Sequence, residues 1–186
     1  MNEIDKYRNA YKDQDYKMCG SRYEHAITIL DGLKCGTLID VGCGRGEVVD
    51  LANRMGFSAV GYEAVEYLCD GSLIMNGMLP NVACQWNAGG EIVPIMTWEI
   101  VTCLDVLEHV EPEITEDSIR NLRAICTREA FITISTIPDE DKDGVQLHIN
   151  IREPIEWHRL LKKYFTIVEM LNKSTSYGPT PFRCYV

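Results

Sequence analysis

The chain has 186 residues, a length that suits one compact domain and excludes a large second one. Hydrophobic residues make up 46% and charged residues 25%, which excludes intrinsic disorder throughout the chain. The formal net charge of -10 disfavours binding to nucleic acid or anionic lipid through a global positive field. Because the N-terminus is charged and no run of about 18 apolar residues follows, we expect a cytoplasmic protein that does not enter membranes.

Helices and strands alternate along the chain. The first 35 residues have a helical pattern, most clearly over 22–31, and a β-rich run follows at 37–41. Further helices are predicted at 48–55, 65–77, 115–126 and from 154 onwards, and further strands at 58–62, 81–85, 99–104, 130–135, 165–171 and 182–186. Strands separated by such helices predict right-handed crossovers, so the fold class is α/β with a doubly wound, mostly parallel sheet.

The eight cysteines are scattered, without any C-x-x-C pair, and several fall within apolar, strand-like runs. We therefore predict buried free thiols rather than a metal site or disulfides. This prediction agrees with a reducing compartment.

A glycine-rich loop follows the first predicted strand. In the run DVGCGRGE, Gly42, Gly44 and Gly46 let the backbone turn tightly and a ligand approach closely. The dinucleotide fingerprint G-x-G-x-x-G fails, because Glu47 puts a negative charge where a pyrophosphate would lie. A cofactor with a zwitterionic amino-acid end fits better, since Asp40 can face its ammonium while loop N–H groups meet its carboxylate. S-adenosylmethionine has that chemistry.

Two stretches resemble motifs of a known enzyme family. LIDVGCGRGEVVDLA is similar to the first motif of class I S-adenosylmethionine-dependent methyltransferases, and CLDVLEHV is similar to their fourth-strand motif. The resemblance implies a Rossmann-like, three-layer α/β/α domain over residues 35–186, with seven strands of which the last is antiparallel. Residues 1–34 would form an N-terminal helical extension that closes over the cofactor.

The resemblance also implies S-adenosylmethionine as the cofactor and assigns residues to it. Glu63 ends the second strand, where the family keeps an acid for the ribose hydroxyls. Asn87 and Ala88 are similar to an Asp-Ala pair beside the adenine, although Asn87 replaces the commoner aspartate. Arg22 is the candidate for the methionine carboxylate. The remaining cofactor-binding candidates lie in the two motifs: Asp40, Gly42, Cys43, Gly44, Leu104 and Asp105.

The candidates for catalysis are Glu108, His109 and His148. A helical turn after Asp105 would bring Asp105, Glu108 and His109 to one face at the mouth of the pocket. In one hypothesis, His109 or His148 is a general base. In a second, these four residues bind a divalent ion, as a similarity to small-RNA terminal 2′-O-methyltransferases and ubiquinone-pathway O-methyltransferases implies. In a third, the segment LEHV is mainly structural. Among these hypotheses only the second requires an ion, so a divalent metal is possible but not expected by default.

An acidic cluster follows the predicted strand 130–135. Asp139, Asp141, Asp143 and Gly144 match the opening of a calcium loop, but its twelfth position is Asn150 instead of glutamate. Because a strand rather than a helix precedes the cluster, we predict an acidic lid over the acceptor site instead of an EF-hand.

These features predict an S-adenosylmethionine-dependent methyltransferase that acts on an oxygen or nitrogen of a small molecule or modified metabolite, as a monomer or homodimer. Two alternatives stay open: a metal-assisted 2′-O-methyltransferase of RNA ends, and a non-catalytic cofactor-binding regulatory or partner protein. Base methylation of DNA is disfavoured, since residues 104–107 read LDVL where amino-group DNA methyltransferases have N-P-P-Y.

Overall fold

The structure is a computed structural model that describes residues 20–64, 74–76, 84–86, 92–94, 96–140, 144–172 and 178–186. The helices are α1 (Gly20–Asp31), α2 (Glu47–Arg54), α3 (Thr115–Ile125) and α4 (Pro154–Leu161), with short 3-10 helices at Leu107–His109 and Pro112–Ile114. The strands are β1 (Thr37–Val41), β2 (Ser58–Glu63), β3 (Ile74–Asn76), β4 (Cys84–Trp86), β5 (Ile92–Pro94), β6 (Trp98–Leu104), β7 (Cys126–Ile134), β8 (Ile167–Met170) and β9 (Thr180–Tyr185). In this part of the chain, no helix is long and apolar enough to cross a membrane.

Seven strands form one sheet in the order β3-β2-β1-β6-β7-β9-β8. The strands from β3 to β7 in this order pair in parallel, whereas β9 runs antiparallel to both β7 and β8. The predicted α/β sheet with an antiparallel last strand is therefore confirmed. The order reverses between β1 and β6, and ligands of such sheets bind at the carboxyl ends of the strands near this point.

Helices cover both faces of this sheet. On β1, Ile39 and Val41 belong to one apolar cluster and Leu38 to another, and alternate side chains of a strand point to opposite faces. The first cluster includes Leu122 of α3 and Trp157 of α4, whereas α1 and α2 contribute to the second. The three layers expected from the resemblance are thus present, and the core lies on both sides of buried central strands.

The third strand of the sheet differs from the prediction. The helix predicted at 65–77 is wrong at 74–76, because Ile74–Asn76 is strand β3 and pairs in parallel with β2. The segment predicted as the third strand contributes instead β4, which pairs with β5 in a separate two-stranded antiparallel sheet. Apolar periodicity cannot distinguish a short strand from part of a helix, so partners outside the segment decide its structure.

The described cysteines fit the prediction of free thiols, with one exception in burial. Cys43, Cys103, Cys126 and Cys184 are buried, whereas Cys35 is exposed. Burial raises the pKa of Cys126 to about 11, which keeps this thiol protonated near neutral pH. The buried thiols therefore act as small apolar core residues.

A buried carboxylate near the amino end of β7 joins two strands. Glu129 accepts hydrogen bonds from Nε and Nη2 of Arg183 on β9, at 2.9 and 2.7 Å, and from Nε of Arg128 at 3.1 Å. The Arg183 guanidinium also stacks over the rings of Phe131 and Tyr185. This network lies at the edge of the sheet opposite the carboxyl ends of the parallel strands. We therefore infer that it stabilises the fold and has no part in the candidate active site.

Replacing Glu129 with alanine should lower the free energy of unfolding by about 2 kcal/mol, because Arg183 and Arg128 would lose a shared, desolvated partner. Urea unfolding followed by circular dichroism measures this change. The exposed Glu169 on β8 provides the control, and Glu169→Ala should cost less than about 0.5 kcal/mol. Equal losses in the two variants would show that the Glu129 network does not stabilise the sheet.

Candidate active site

The glycine loop between β1 and α2 is fixed to the end of β2. The N–H groups of Gly42 and Cys43 both donate to the Tyr62 carbonyl oxygen, at 2.8 and 3.1 Å. The N–H of Gly44 donates to Oε2 of the buried Glu63 at 2.9 Å. The loop is thus held against β2 by the acid that the resemblance assigned to ribose binding, and that binding role remains a prediction.

The glycine loop needs glycines for two reasons: its backbone is left-handed, and a neighbouring side chain leaves no room for a Cβ on Gly42. Gly42, Gly44 and Gly46 have φ values of +73°, +57° and +86°, in the left-handed region that favours glycine. A Cβ on Gly42 would overlap the side chain of Val106, which follows β6. The loop therefore contacts the segment that leads to Glu108.

Asp40 lies on β1, where it is fully buried, and its side chain contacts β6. Its Oδ1 accepts a hydrogen bond of 2.7 Å from the Thr102 hydroxyl, which lies directly opposite on β6. This contact ties the two strands together where the strand order reverses. Contact of Asp40 with a cofactor ammonium remains a prediction.

Asp105 lies just beyond β6 in a conformation that the sequence did not predict. Its φ is +57°, which is uncommon outside glycine but tolerated by aspartate. The Thr133 hydroxyl donates to Asp105 Oδ1 at 2.6 Å, and the Asp105 N–H donates to the Thr133 carbonyl at 2.9 Å. The predicted helical turn through Asp105, Glu108 and His109 is therefore wrong, since helical backbone begins only at Leu107 and Asp105 turns toward β7.

Glu108 and His109 belong to the 3-10 helix after β6. Glu108 is fully buried, and its Oε1 accepts a 2.8 Å hydrogen bond from the Ser135 N–H at the end of β7. Part of the structural role considered for LEHV is therefore present. His109 is half-buried, and its Nδ1 lies 3.1 Å from the carbonyl oxygen of Leu147.

His148 reaches this 3-10 helix from the loop before α4. Its ring packs edge-on against the His109 ring, with centroids 4.8 Å apart. Its Nδ1 lies 2.6 Å from the Ile137 carbonyl oxygen, and its Nε2 lies 3.9 Å from Oδ2 of Asp139. Residues far apart in sequence are thus brought to one point by the loop that returns from β7.

The carbonyl partners determine the tautomers of the two histidines. A carbonyl oxygen only accepts hydrogen bonds, so Nδ1 of His109 and Nδ1 of His148 must carry the proton that is shared with Leu147 and Ile137. In a neutral imidazole protonated at Nδ1, the lone pair lies on Nε2. Nε2 is therefore the atom through which such a ring can take up a proton or bind a metal ion.

Glu108, His109 and His148 form a cluster, which we call the Glu-His-His cluster. One potential ligand atom from each lies within 4.8 Å of the others. The arrangement suits proton transfer from a bound acceptor, and it also provides three of the ligands that a divalent transition-metal ion takes. Asp105 was predicted as a fourth ligand, but its carboxylate instead accepts the Thr133 hydroxyl.

Several predicted residues cannot be placed in this site. Arg22 lies on α1, but its side chain is outside the described residues. Asn87, Ala88, Asp141 and Asp143 also lie outside them. The proposed position of Asn87 and Ala88 beside the adenine therefore stays a prediction.

Three of the residues that hold this site together were not among the predicted site residues. Thr102 and Thr133 are polar side chains within apolar strands, and Ser135 directly follows the second of these strands. An isolated buried hydroxyl needs a hydrogen-bond partner, and this was the available signal. Asn150 was considered only as a departure from a calcium loop, yet it is buried beside the 3-10 helix.

Solved structures of other proteins share this fold. The chain superposes on DhpI in complex with S-adenosylhomocysteine with a TM-score of 0.70 at 14% identity, over 98% of this chain and 94% of that chain. Magnesium protoporphyrin IX methyltransferase from Synechocystis PCC 6803 with bound S-adenosylmethionine gives 0.63 at 16% identity, over 98% and 90%. A Burkholderia thailandensis 1,6-didemethyltoxoflavin-N1-methyltransferase gives 0.66 at 13% identity, over 98% and 86%.

At such identities, these structures show a common fold. No protein of curated function matches the sequence significantly. A family model described as a methyltransferase domain, however, matches residues 13–174, which is most of the chain. The resemblance to class I S-adenosylmethionine-dependent methyltransferases is therefore confirmed, and the chain belongs to the methyltransferase-domain family.

Proposed function

We propose that this protein transfers a methyl group from S-adenosylmethionine to an oxygen or nitrogen of a small molecule. The observation that carries the proposal is a contact at the carboxyl edge of the sheet, between the glycine loop and the segment that follows β6. Val106 packs against the glycine loop after β1, and two residues later the same segment enters the Glu-His-His cluster. A cofactor bound at the loop would thus have candidate acid and base groups next to it.

The residues at the loop fit such a cofactor. The left-handed glycines leave its backbone without side-chain obstruction, and α2 begins directly after it with its positive dipole end toward the loop. S-adenosylmethionine, when bound, supplies an activated methyl group. We assign Asp40, Gly42, Cys43, Gly44, Glu63, Leu104 and Asp105 to its binding, together with Arg22, Asn87 and Ala88 from the resemblance.

The cluster provides what the acceptor needs. An acceptor hydroxyl or amine must be aligned with the cofactor and must lose a proton. In the neutral Nδ1–H form of His148, Nε2 carries the lone pair that can take this proton, and Oδ2 of Asp139 lies 3.9 Å from Nε2. We therefore propose a histidine of the cluster as the general base.

Two observations favour a small-molecule acceptor over RNA. The magnesium protoporphyrin IX and 1,6-didemethyltoxoflavin enzymes are named for small molecules. In addition, Glu111 and Glu113 follow the 3-10 helix, Asp139 and Glu140 lie in the loop beside His148, and all four carboxylates are exposed. These negative charges would repel phosphates and favour a neutral or cationic acceptor.

The second candidate function is metal-assisted methylation of a hydroxyl, with RNA ends among the acceptors. The approach of Glu108, His109 and His148 to within 4.8 Å favours it, because two imidazoles and a carboxylate suit a divalent ion. This candidate differs from the first in one respect that can be measured. Chelation would abolish its activity, whereas a histidine base needs no metal.

Calorimetric titration with S-adenosylmethionine and then with S-adenosylhomocysteine, each with magnesium and with a chelator, tests the cofactor. We expect micromolar binding of both. A panel of hydroxyl- and amine-bearing small molecules, with a short RNA for comparison, is then assayed for S-adenosylhomocysteine release by mass spectrometry. Absence of binding would refute the enzymatic function, and binding without turnover on any acceptor would support a non-catalytic regulatory or partner protein.

A further inference from the structure

Asn150 has a buried side-chain amide next to the Glu-His-His cluster, and it has no role in the proposed function. It is 3% exposed and lies two residues after His148. Its backbone N–H donates to the Glu108 carbonyl at 3.0 Å, and its Nδ2 donates to the Leu107 carbonyl at 3.4 Å. Asn150 therefore contacts the backbone of the 3-10 helix at two consecutive residues.

The partners of Asn150 determine which way its amide faces. Arg152 Nε can only donate, so it faces Oδ1 at 2.8 Å. The Thr115 hydroxyl donates its proton to the Glu111 carbonyl at 2.9 Å, so it accepts from Asn150 Nδ2 at 2.7 Å. A group that accepts at one atom and donates at the other is required, and at this size only asparagine meets that requirement.

These contacts connect the loop that bears His148 to the helix that bears His109. The Leu147 carbonyl, in the same loop, accepts the Nδ1 proton of His109. We infer that Asn150 is a positioning residue, which holds the loop against the 3-10 helix and thereby keeps both rings in the Nδ1–H tautomer at their observed separation. For turnover this inference rests on the proposed function, but its structural part stands independently.

The test uses Asn150→Asp, which keeps the size of the side chain and removes its donor. One carboxylate oxygen would then face the Leu107 carbonyl, and the Thr115 hydroxyl would have to give up the Glu111 carbonyl to donate to it. We expect kcat to fall about 10- to 100-fold, as is typical for residues that orient functional histidines. The dissociation constant of S-adenosylmethionine should change less than about twofold, because the glycine loop is not affected.

A pair of substitutions at Thr115 tests the hydrogen bond from the other side. Thr115→Val removes the acceptor of Asn150 Nδ2 and should lower kcat. Thr115→Ser keeps the hydroxyl, so its kcat should stay near that of the wild type. Asn53→Ala is the matched control. The Asn53 side chain makes two 3.0 Å hydrogen bonds with the Ala59 backbone near the start of β2, so its loss should lower the melting temperature without changing kcat.

Long-range 1H–15N spectra of the histidine rings at alkaline pH provide a readout that does not require turnover. In the wild type His109 should be the Nδ1–H tautomer, and in Asn150→Asp it should shift toward Nε2–H as the Leu147 carbonyl moves away. Wild-type kcat with an unchanged tautomer in Asn150→Asp would overturn the inference, and so would an equal loss of kcat in Asn53→Ala. If the wild type has no turnover, the proposed function fails and the tautomers alone decide the role of Asn150.

Discussion

Gly44→Asp is expected to weaken S-adenosylmethionine binding at least about 100-fold, which corresponds to about 2.7 kcal/mol of binding free energy. The Gly44 N–H donates to Oε2 of Glu63 at 2.9 Å, so a new carboxylate at this position would lie beside an existing one in a buried part of the loop. The side chain would also occupy the space that the bare backbone leaves for a ligand. Calorimetric titration of the folded variant measures the loss.

Gly56→Asp separates this effect from backbone strain. Gly56 has a φ of +95° and follows the other end of α2, where a new Cβ would make only an ordinary contact with Cys35. The same substitution there should lower stability by about 1 kcal/mol, as left-handed backbone does for non-glycine residues, and leave cofactor affinity unchanged. Unchanged affinity in Gly44→Asp would show that the cofactor binds elsewhere.

Asparagine in place of the histidine that acts as the general base, in His148→Asn or His109→Asn, is expected to lower turnover about 10²- to 10⁴-fold, while cofactor affinity stays near that of the wild type. If one histidine is the base, its variant should have much the larger defect. The variant of the other histidine should mainly reflect lost packing between the two rings. Single-turnover rates on an accepted substrate measure the chemical step directly.

The metal-assisted alternative predicts a different pattern. Glu108→Gln, His109→Asn and His148→Asn should then all lose activity together, a chelator should inactivate the wild type, and added Mg²⁺, Mn²⁺ or Zn²⁺ should restore it. Mn²⁺ and Zn²⁺ are included because the imidazole ligands of the cluster suit transition metals better than Mg²⁺. Full activity in chelator would exclude this alternative and leave the general base.

His158→Asn is the control for both patterns. His158 lies on α4, where its Nε2 bonds to the Val168 carbonyl at 3.0 Å on edge strand β8, away from the cluster. Its replacement should reduce stability slightly and leave turnover unchanged. A turnover defect in His158→Asn as large as in His148→Asn would mean that the assay reports folding rather than catalysis.

The sequence alone predicted the features that depend on neighbours along the chain. The glycine loop after β1 follows from backbone geometry at a strand-to-helix turn, and the alternation of strands and helices follows from local apolar periodicity. The order of the motifs then identified the family. Glu108, His109 and His148 were also selected as candidates, because their residue types suit acid-base and metal chemistry.

Tertiary structure decided what depends on partners distant in the sequence. Ile74–Asn76 became the third sheet strand because the exposed edge of β2 offered it parallel hydrogen bonds. Asp105 is not part of the Glu-His-His cluster, because its carboxylate bonds to Thr133 on β7 and its backbone is left-handed. The tautomers of both histidines depend on the carbonyls of Ile137 and Leu147, in a loop that tertiary contacts hold against the 3-10 helix. Periodicity contains no information about such contacts, since each forms only after the sheet has brought its carboxyl ends together.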